Sequence, residues 1–185
     1  MSKRPTLEVF VGLPAVGKSH VRANVIAHMN DSDVFVYSTD DLIDQFAADT
    51  GITYSEAFKT FVKDATQQAD LDVVYAIEDL RSVVWDQTNM SDKKRRKILK
   101  RFPDAYKKNC TCILPPFNDD QAAEHKRRLE NRPGKVIPAF IMRSMGNSFV
   151  LPSTNEGFNN VSYYDLYGDT VDRNRAADLF GVFAK

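Results

Sequence analysis

The chain has 185 residues, of which 43% are hydrophobic and 27% charged, and its formal net charge is zero. That length suits one domain (1–185) with a sizeable core, and the balanced charge excludes a uniformly basic coat for nucleic acid, so any polyanion surface must be a local patch. No apolar run approaches the roughly 18 residues of a membrane span, and the opening MSKRPT lacks a hydrophobic signal segment, so a cytoplasmic chain is expected.

Taken in chain order, TLEVFVG (6–12) predicts a first strand. A helix is expected to start inside the following turn and run to about Asn30. DVFVYST predicts a second strand, and Asp41 is expected to cap the helix DLIDQF after it. From Tyr54 onward, Phe58, Phe61, Ala65, Ala69, Val73 and Ile77 recur every three or four residues. That spacing predicts one long helix, or two broken near 70–72. RSVVWDQT predicts a third strand, and SDKKRRKILKRF a basic helix with Ser91 as N-cap. NCTCILP predicts a fourth strand; Cys110 and Cys112, two apart within it, are read as buried thiols rather than a disulfide or zinc pair. Asn118 is expected to cap a helix with acids in its first turn, and Pro138 to open another. VSYYDLY predicts a fifth strand, with a terminal helix after Gly168. Strands alternating with helices predict an α/β fold with a mostly parallel sheet of about five strands.

Between the first strand and first helix lies GLPAVGKSH, where Gly12, Gly17, Lys18 and Ser19 complete the pattern G-x-x-x-x-G-K-[ST]. The glycines let backbone N–H groups turn onto phosphates, and the helix N-terminus adds its positive dipole end. The predicted nucleotide-binding set is Gly12, Leu13, Pro14, Ala15, Val16, Gly17, Lys18, Ser19 and His20. Lys18 would neutralise the β- and γ-phosphates of ATP, and the Ser19 hydroxyl would ligate Mg²⁺. The plainer alternative is a glycine-rich turn with a surface lysine.

Ligands of parallel sheets bind at the carboxyl ends of the strands, where two acids fall. Asp40, after the second strand, is the candidate general base for an attacking hydroxyl; Asp86, after the third, is the candidate magnesium-side carboxylate. Arg128 and Arg132, four apart, share a helix face that suits a lid (119–137) clamping a transferring phosphoryl group. A solvated basic face is the plainer reading. The same choice attends KKRRK at 93–97, which either tracks phosphates or faces water.

GLPAVGKS, STDD, WDQTN, the arginines before VIP, and FVLPSTNEGF, in that order, resemble the kinase domain of the polynucleotide kinase family, including related phage kinases of 5-hydroxymethyluracil in DNA. The likeness spans Leu7 to Tyr164 and implies a P-loop three-layer sandwich with a helical arginine lid. It also implies ATP as donor, Mg²⁺, and DNA as acceptor. By position it carries Lys18 and Ser19 to nucleotide and metal, Asp40 to the general base, Arg128 and Arg132 to the donor phosphates, and Asp86 to the acid of the third strand. One departure concerns the acceptor. The arginine that follows the catalytic aspartate by three residues in phage polynucleotide kinase is Ile43 here, so the acceptor pocket differs. Tyr54, Phe58 and Trp85 are candidate stackers for an extruded base, or core aromatics. Neither a membrane nor a protein partner is indicated.

Overall fold

The computed structural model describes residues 4–181 except 30 and 133. The chain runs β1 (Thr6–Val11), α1 (Lys18–Met29), β2 (Val34–Tyr37), α2 (Thr39–Thr50), α3 (Tyr54–Glu78), β3 (Ser82–Trp85), α4 (Asp92–Leu99) and β4 (Lys107–Ile113). It continues through α5 (Asp119–Glu130), α6 (Ala139–Asn147), a 3₁₀ turn (Thr154–Glu156), β5 (Asn160–Tyr164), β6 (Thr170–Val171) and α7 (Arg173–Phe180). The result is a three-layer α/β fold. Its sheet has six strands in the order β2-β3-β1-β4-β5-β6, parallel except for the pairing of β5 with β6. The sixth strand is the addition to the expected five. At two residues it is too short to leave a pattern.

Strands covered on both faces read as continuous apolar runs, and β1 does so from Leu7 to Val11 except at Glu8. That carboxyl is buried, accepts a 2.7 Å bond from the Thr111 hydroxyl, and has its pKa raised by burial. Cys110 and Cys112 are buried free thiols of β4. The periodic segment from Tyr54 is a single helix of 25 residues. It begins with a capping box between Thr53 and Glu56 and does not break near 70–72. There Asp70 turns outward to accept bonds from Arg101 Nη1 (2.7 Å) and the Tyr37 hydroxyl (3.2 Å). The N-cap of α2 is Ser38, not Asp41: its Oγ accepts from the Asp41 backbone N–H at 3.2 Å. Both aspartates of the first turn are therefore left for other partners.

Behind the sheet's carboxyl edge lies a buried ion pair. Arg95, inside the run expected to be a basic face, is 0% exposed. Its Nε and Nη2 donate to Glu156 at 2.7 and 2.6 Å, and Nη1 donates to the carbonyls of Asn89 and Met90. Nη2 also reaches the carbonyl of Val150 at 3.0 Å. Removing one partner of a fully hydrogen-bonded buried pair strands the other charge in a low dielectric. Glu156→Gln is expected to lower unfolding free energy by about 3–5 kcal/mol in urea titrations, and an Arg95→Met/Glu156→Leu double variant to recover most of it.

Candidate active site

β2, β3 and β1 are neighbours, with Tyr37 opposite Trp85 and Trp85 opposite Val9. β2 and β3 therefore end level, β1 runs two residues further, and the loops that leave them meet at the cleft. Asp86 follows β3 by one residue and Asp40 follows β2 by three. A cleft of about 490 Å³ opens there, and Lys18, Ser19, Asp40, Asp86, Arg128 and Arg132 all line it. The turns after β1, β2 and β3, together with Arg128 of α5 and Arg132 beyond it, thus bring every predicted catalytic and metal-side residue to one space.

The phosphate loop is held from below. The Gly12 N–H donates to the Thr88 carbonyl at 3.0 Å, and the buried Asn89 amide donates to the Phe10 carbonyl at 2.8 Å. A Cβ at Gly12 would meet the Ile113 carbonyl at 3.1 Å and Val16 at 3.0 Å, so only glycine fits so near the sheet. Gly17 has φ +107°, and Ala15, at φ 64°, sits in the left-handed region without the freedom of glycine. Pro14, Ala15, Gly17, Lys18 and Ser19 face the cleft. Leu13 and Val16 turn their side chains into the core instead, and His20 lines a neighbouring groove with Arg128 and Tyr167. The Lys18 ammonium donates to the carbonyls of Gly12 and Leu13 at 2.9 Å each. Burial lowers its pKa to about 8, against the opposing pull of Asp86 and Asp40.

One charged residue that pairs with the cleft's aspartates escaped sequence reasoning. Arg22 Nη1 bridges Asp41 Oδ2 at 2.8 Å and Asp86 Oδ2 at 2.9 Å. The signal was in KSHVR, where Lys18 and Arg22 are four apart and share a face of α1. Asp86 is largely buried, which raises its pKa, while Lys18 and Arg22 pull it down. Among the described residues no group of three or more His, Cys, Asp or Glu side chains could hold a metal ion. A divalent cation here would therefore depend on nucleotide phosphates together with the exposed Ser19 and the Asp86 oxygen that Arg22 leaves open.

On the lid, Arg128 donates to Glu124 at 2.7 Å and to the Leu166 carbonyl at 3.0 Å. Hydrogen bonds from Arg127 and Arg128 hold the Glu124 carboxyl down to about 2. Among the described residues the Arg132 side chain has no hydrogen-bond or ion-pair partner, and it points its charge into the cleft. Of the basic run, Lys94 lines the cleft while Arg95 serves the interior.

On the acceptor side, Ile43 is 0% exposed, packed with Ala47, Ala57 and Ala65 between α2 and α3. Trp85 is core, stacked on Tyr37 at 3.7 Å, and so is unavailable to a flipped base. Phe58 is exposed on α3. The Tyr54 hydroxyl donates to Asp40 Oδ1 at 2.8 Å.

A family model described as AAA domain matches residues 7–149. The L-seryl-tRNA(Sec) kinase of Methanococcus maripaludis is 26% identical over 93% of this chain, which spans 61% of that relative's length. A chain of the Pnkp1/Rnl/Hen1 RNA repair complex superposes with TM-score 0.58 at 18% identity, covering 94% of this chain and 50% of that one. A chain from the PezAT chromosomal toxin–antitoxin system of Streptococcus pneumoniae gives TM-score 0.56 at 16% identity, covering 99% and 81%. At such identities these two likenesses speak for the fold alone. Among the described residues no helix is long and apolar enough to cross a membrane.

Arg22→Met would leave Asp41 and Asp86 uncompensated beside the phosphate loop. One lost charge at close range is expected to weaken nucleoside triphosphate binding about tenfold by isothermal titration, with the loss shrinking at high salt.

Proposed function

The chain belongs to the AAA domain family, and on that premise we propose that it is an ATP-dependent kinase that moves the γ-phosphate onto a primary alcohol carried by DNA. The observation that carries this reading is the convergence of Asp40, Lys18 and Arg132 on one cleft. An ATPase switch would use the same phosphate grip and a group to orient water, so an acceptor assay is what separates the two readings. In the proposed reaction Asp40 takes the proton of the acceptor –CH₂OH as its oxygen attacks the γ-phosphorus. The bond to the β–γ bridging oxygen breaks and ADP leaves. Lys18, Arg128 and Arg132 balance the charge on the transferring group, and the Arg132 guanidinium, without a hydrogen-bond or ion-pair partner among the described residues, is free to clamp it. Ser19 and Asp86 would hold Mg²⁺, which would supply further neutralisation on the β- and γ-phosphates.

Two acceptors on DNA suit this chemistry: a 5′-hydroxyl end and the hydroxymethyl of 5-hydroxymethyluracil. Ile43 favours the second. Phage polynucleotide kinase, within the family that the chain resembles, has an arginine at that position to help hold the acceptor nucleotide, and here an apolar side chain is sunk in the α2–α3 core instead. The similar L-seryl-tRNA(Sec) kinase is named for another –CH₂OH borne on a nucleic acid, which supports the primary-alcohol class and makes an RNA-borne acceptor the competing reading. A small-molecule kinase is the remaining one.

The test is γ-labelled ATP with Mg²⁺ and four acceptors. These are a 5′-hydroxyl oligonucleotide, a 5′-blocked oligonucleotide carrying hydroxymethyluracil, seryl-tRNA, and mixed nucleosides. Label on the second is expected. Label only on another acceptor reassigns the substrate, and free phosphate alone removes the kinase reading. Asp40→Asn is expected to cut transfer by about 10²–10⁴-fold with ATP affinity nearly unchanged, whereas Lys18→Ala loses both.

A further inference from the structure

We propose that Tyr54 is the positioning residue of Asp40, and that the strap following the lid helix holds Tyr54 in place. The inference rests on the kinase reading above, because it concerns the geometry of the base that reading assigns.

Asp40 stands in the first turn of α2, exposed, on a side chain with two rotatable bonds. A general base must aim one oxygen at the incoming alcohol, and a freely rotating carboxylate does so only part of the time. The Tyr54 hydroxyl donates to Oδ1 at 2.8 Å, which leaves Oδ2 for the acceptor. Burial and the adjacent Asp40 push the phenol's pKa up, so Tyr54 keeps its proton and stays a donor. As the first residue of α3, behind the Thr53 capping box, it sits on a fixed backbone.

The strap then grips that tyrosine from the other side. Beyond α5, residues 134–136 lie against the start of α3. The Gly134 carbonyl accepts from the Ser55 N–H at 3.1 Å and from the Ser55 hydroxyl at 2.6 Å. The Lys135 ammonium lies 4.1 Å from the centre of the Tyr54 ring and pairs with Asp44. Cation and ring attract, and the strap closes over the aromatic face. Arg132 precedes this short segment and points its charge toward the phosphate site. The Lys135 N–H donates to the Arg132 carbonyl at 3.1 Å, which ties the residue facing the donor to the cation over the ring that orients the base.

Tyr54→Phe keeps the ring and its cation partner and deletes only the hydroxyl. With the acceptor that the wild-type protein labels, kcat is expected to fall about 10- to 100-fold, the loss of one hydrogen bond to a charged group. KM for ATP and the melting temperature should stay within twofold and within a degree or two of wild type, since the hydroxyl touches neither the loop nor the core. Ser55→Ala, which loosens the latch, is expected to cost about threefold in kcat alone and nothing further in the Tyr54→Phe background, because coupled residues fail to add. An unchanged or raised kcat in Tyr54→Phe overturns the proposal; a raised one would make the tyrosine a plug in the acceptor's place. Additive losses would disconnect the strap from the tyrosine. If the wild-type protein transfers nothing to any acceptor, it is the kinase reading that fails, which is a separate result.

Discussion

The geometry of this molecule depends on the buried pair of Arg95 and Glu156. Five hydrogen bonds leave that guanidinium: two to the carboxylate and three to carbonyls of Asn89, Met90 and Val150. Glu156 in turn is bound to the Ser153 backbone N–H at 3.3 Å. The pair therefore joins the loop after β3 to the segment before β5, two stretches far apart in sequence. Such a pair adds little net stability over an apolar substitute of the same shape, because desolvating two charges offsets most of their attraction. What it secures is position. Asn89, whose carbonyl Arg95 holds, sends its amide to the Phe10 carbonyl, and Thr88 beside it receives the Gly12 N–H. The phosphate loop is thus hung from a clamp buried behind it. Asn89 of WDQTN and Glu156 of FVLPSTNEGF meet in this clamp, while Asp86 of the first element lines the cleft.

In front of the loop the problem is electrostatic. Asp40, Asp41, Asp44 and Asp86 line the cleft, and of these Asp44 is paired with Lys135, which leaves three carboxylates that would repel a polyphosphate. Arg22 answers two of them at once and leaves Lys18 unclaimed by any carboxylate. The ammonium rests on two carbonyls, a weaker hold than an ion pair, and burial has already eased its proton's grip. An incoming phosphate replaces carbonyls with full charge. The exchange favours the ligand by more than it would if Lys18 were paired beforehand.

Much of this was legible in the residues, and what was not has a common cause. Strands covered on both faces announce themselves as apolar runs, and a phosphate loop is defined by local steric needs, so β1 to β5 and residues 12–19 could be read directly. Asp40 and Asp86 were placed by the rule that parallel sheets bind at their carboxyl edges, and Arg128 and Arg132 by their spacing on one helix face; all four line the cleft. The misses are cases where a partner distant in sequence, or a choice between adjacent polar residues, decides the outcome. Arg95 sits in KKRRK among solvated neighbours, and nothing local says that it alone turns inward to meet a glutamate 61 positions later. Ser38 and Asp41 both suit a cap, and only the strand's exit angle selects the serine. Trp85 and Tyr54 were equal candidates as aromatics. Their difference is that one is sealed by Tyr37 within the sheet and the other opens α3.

The division of labour between the two cores bears on how such a fold changes acceptors. The main core packs the sheet against its helices and includes Leu13 and Val16 of the phosphate loop, so the donor's grip is part of global stability. Ile43, Ala47, Ala57 and Ala65 form a separate small cluster between α2 and α3, flanked by the stacked rings of Phe46 and Phe61. Asp40 rides on the first turn of that hairpin, and Tyr54 on the start of its second helix. Changing the hairpin's outer residues reshapes what approaches Asp40 without disturbing the packing under Lys18, since distant sites that share no partners act independently. Position 43 is not among those outer residues: Ile43 is 0% exposed and closes the cluster between the two helices, so the side chains that line the cleft beside Asp40 are instead Asp44 and Lys135.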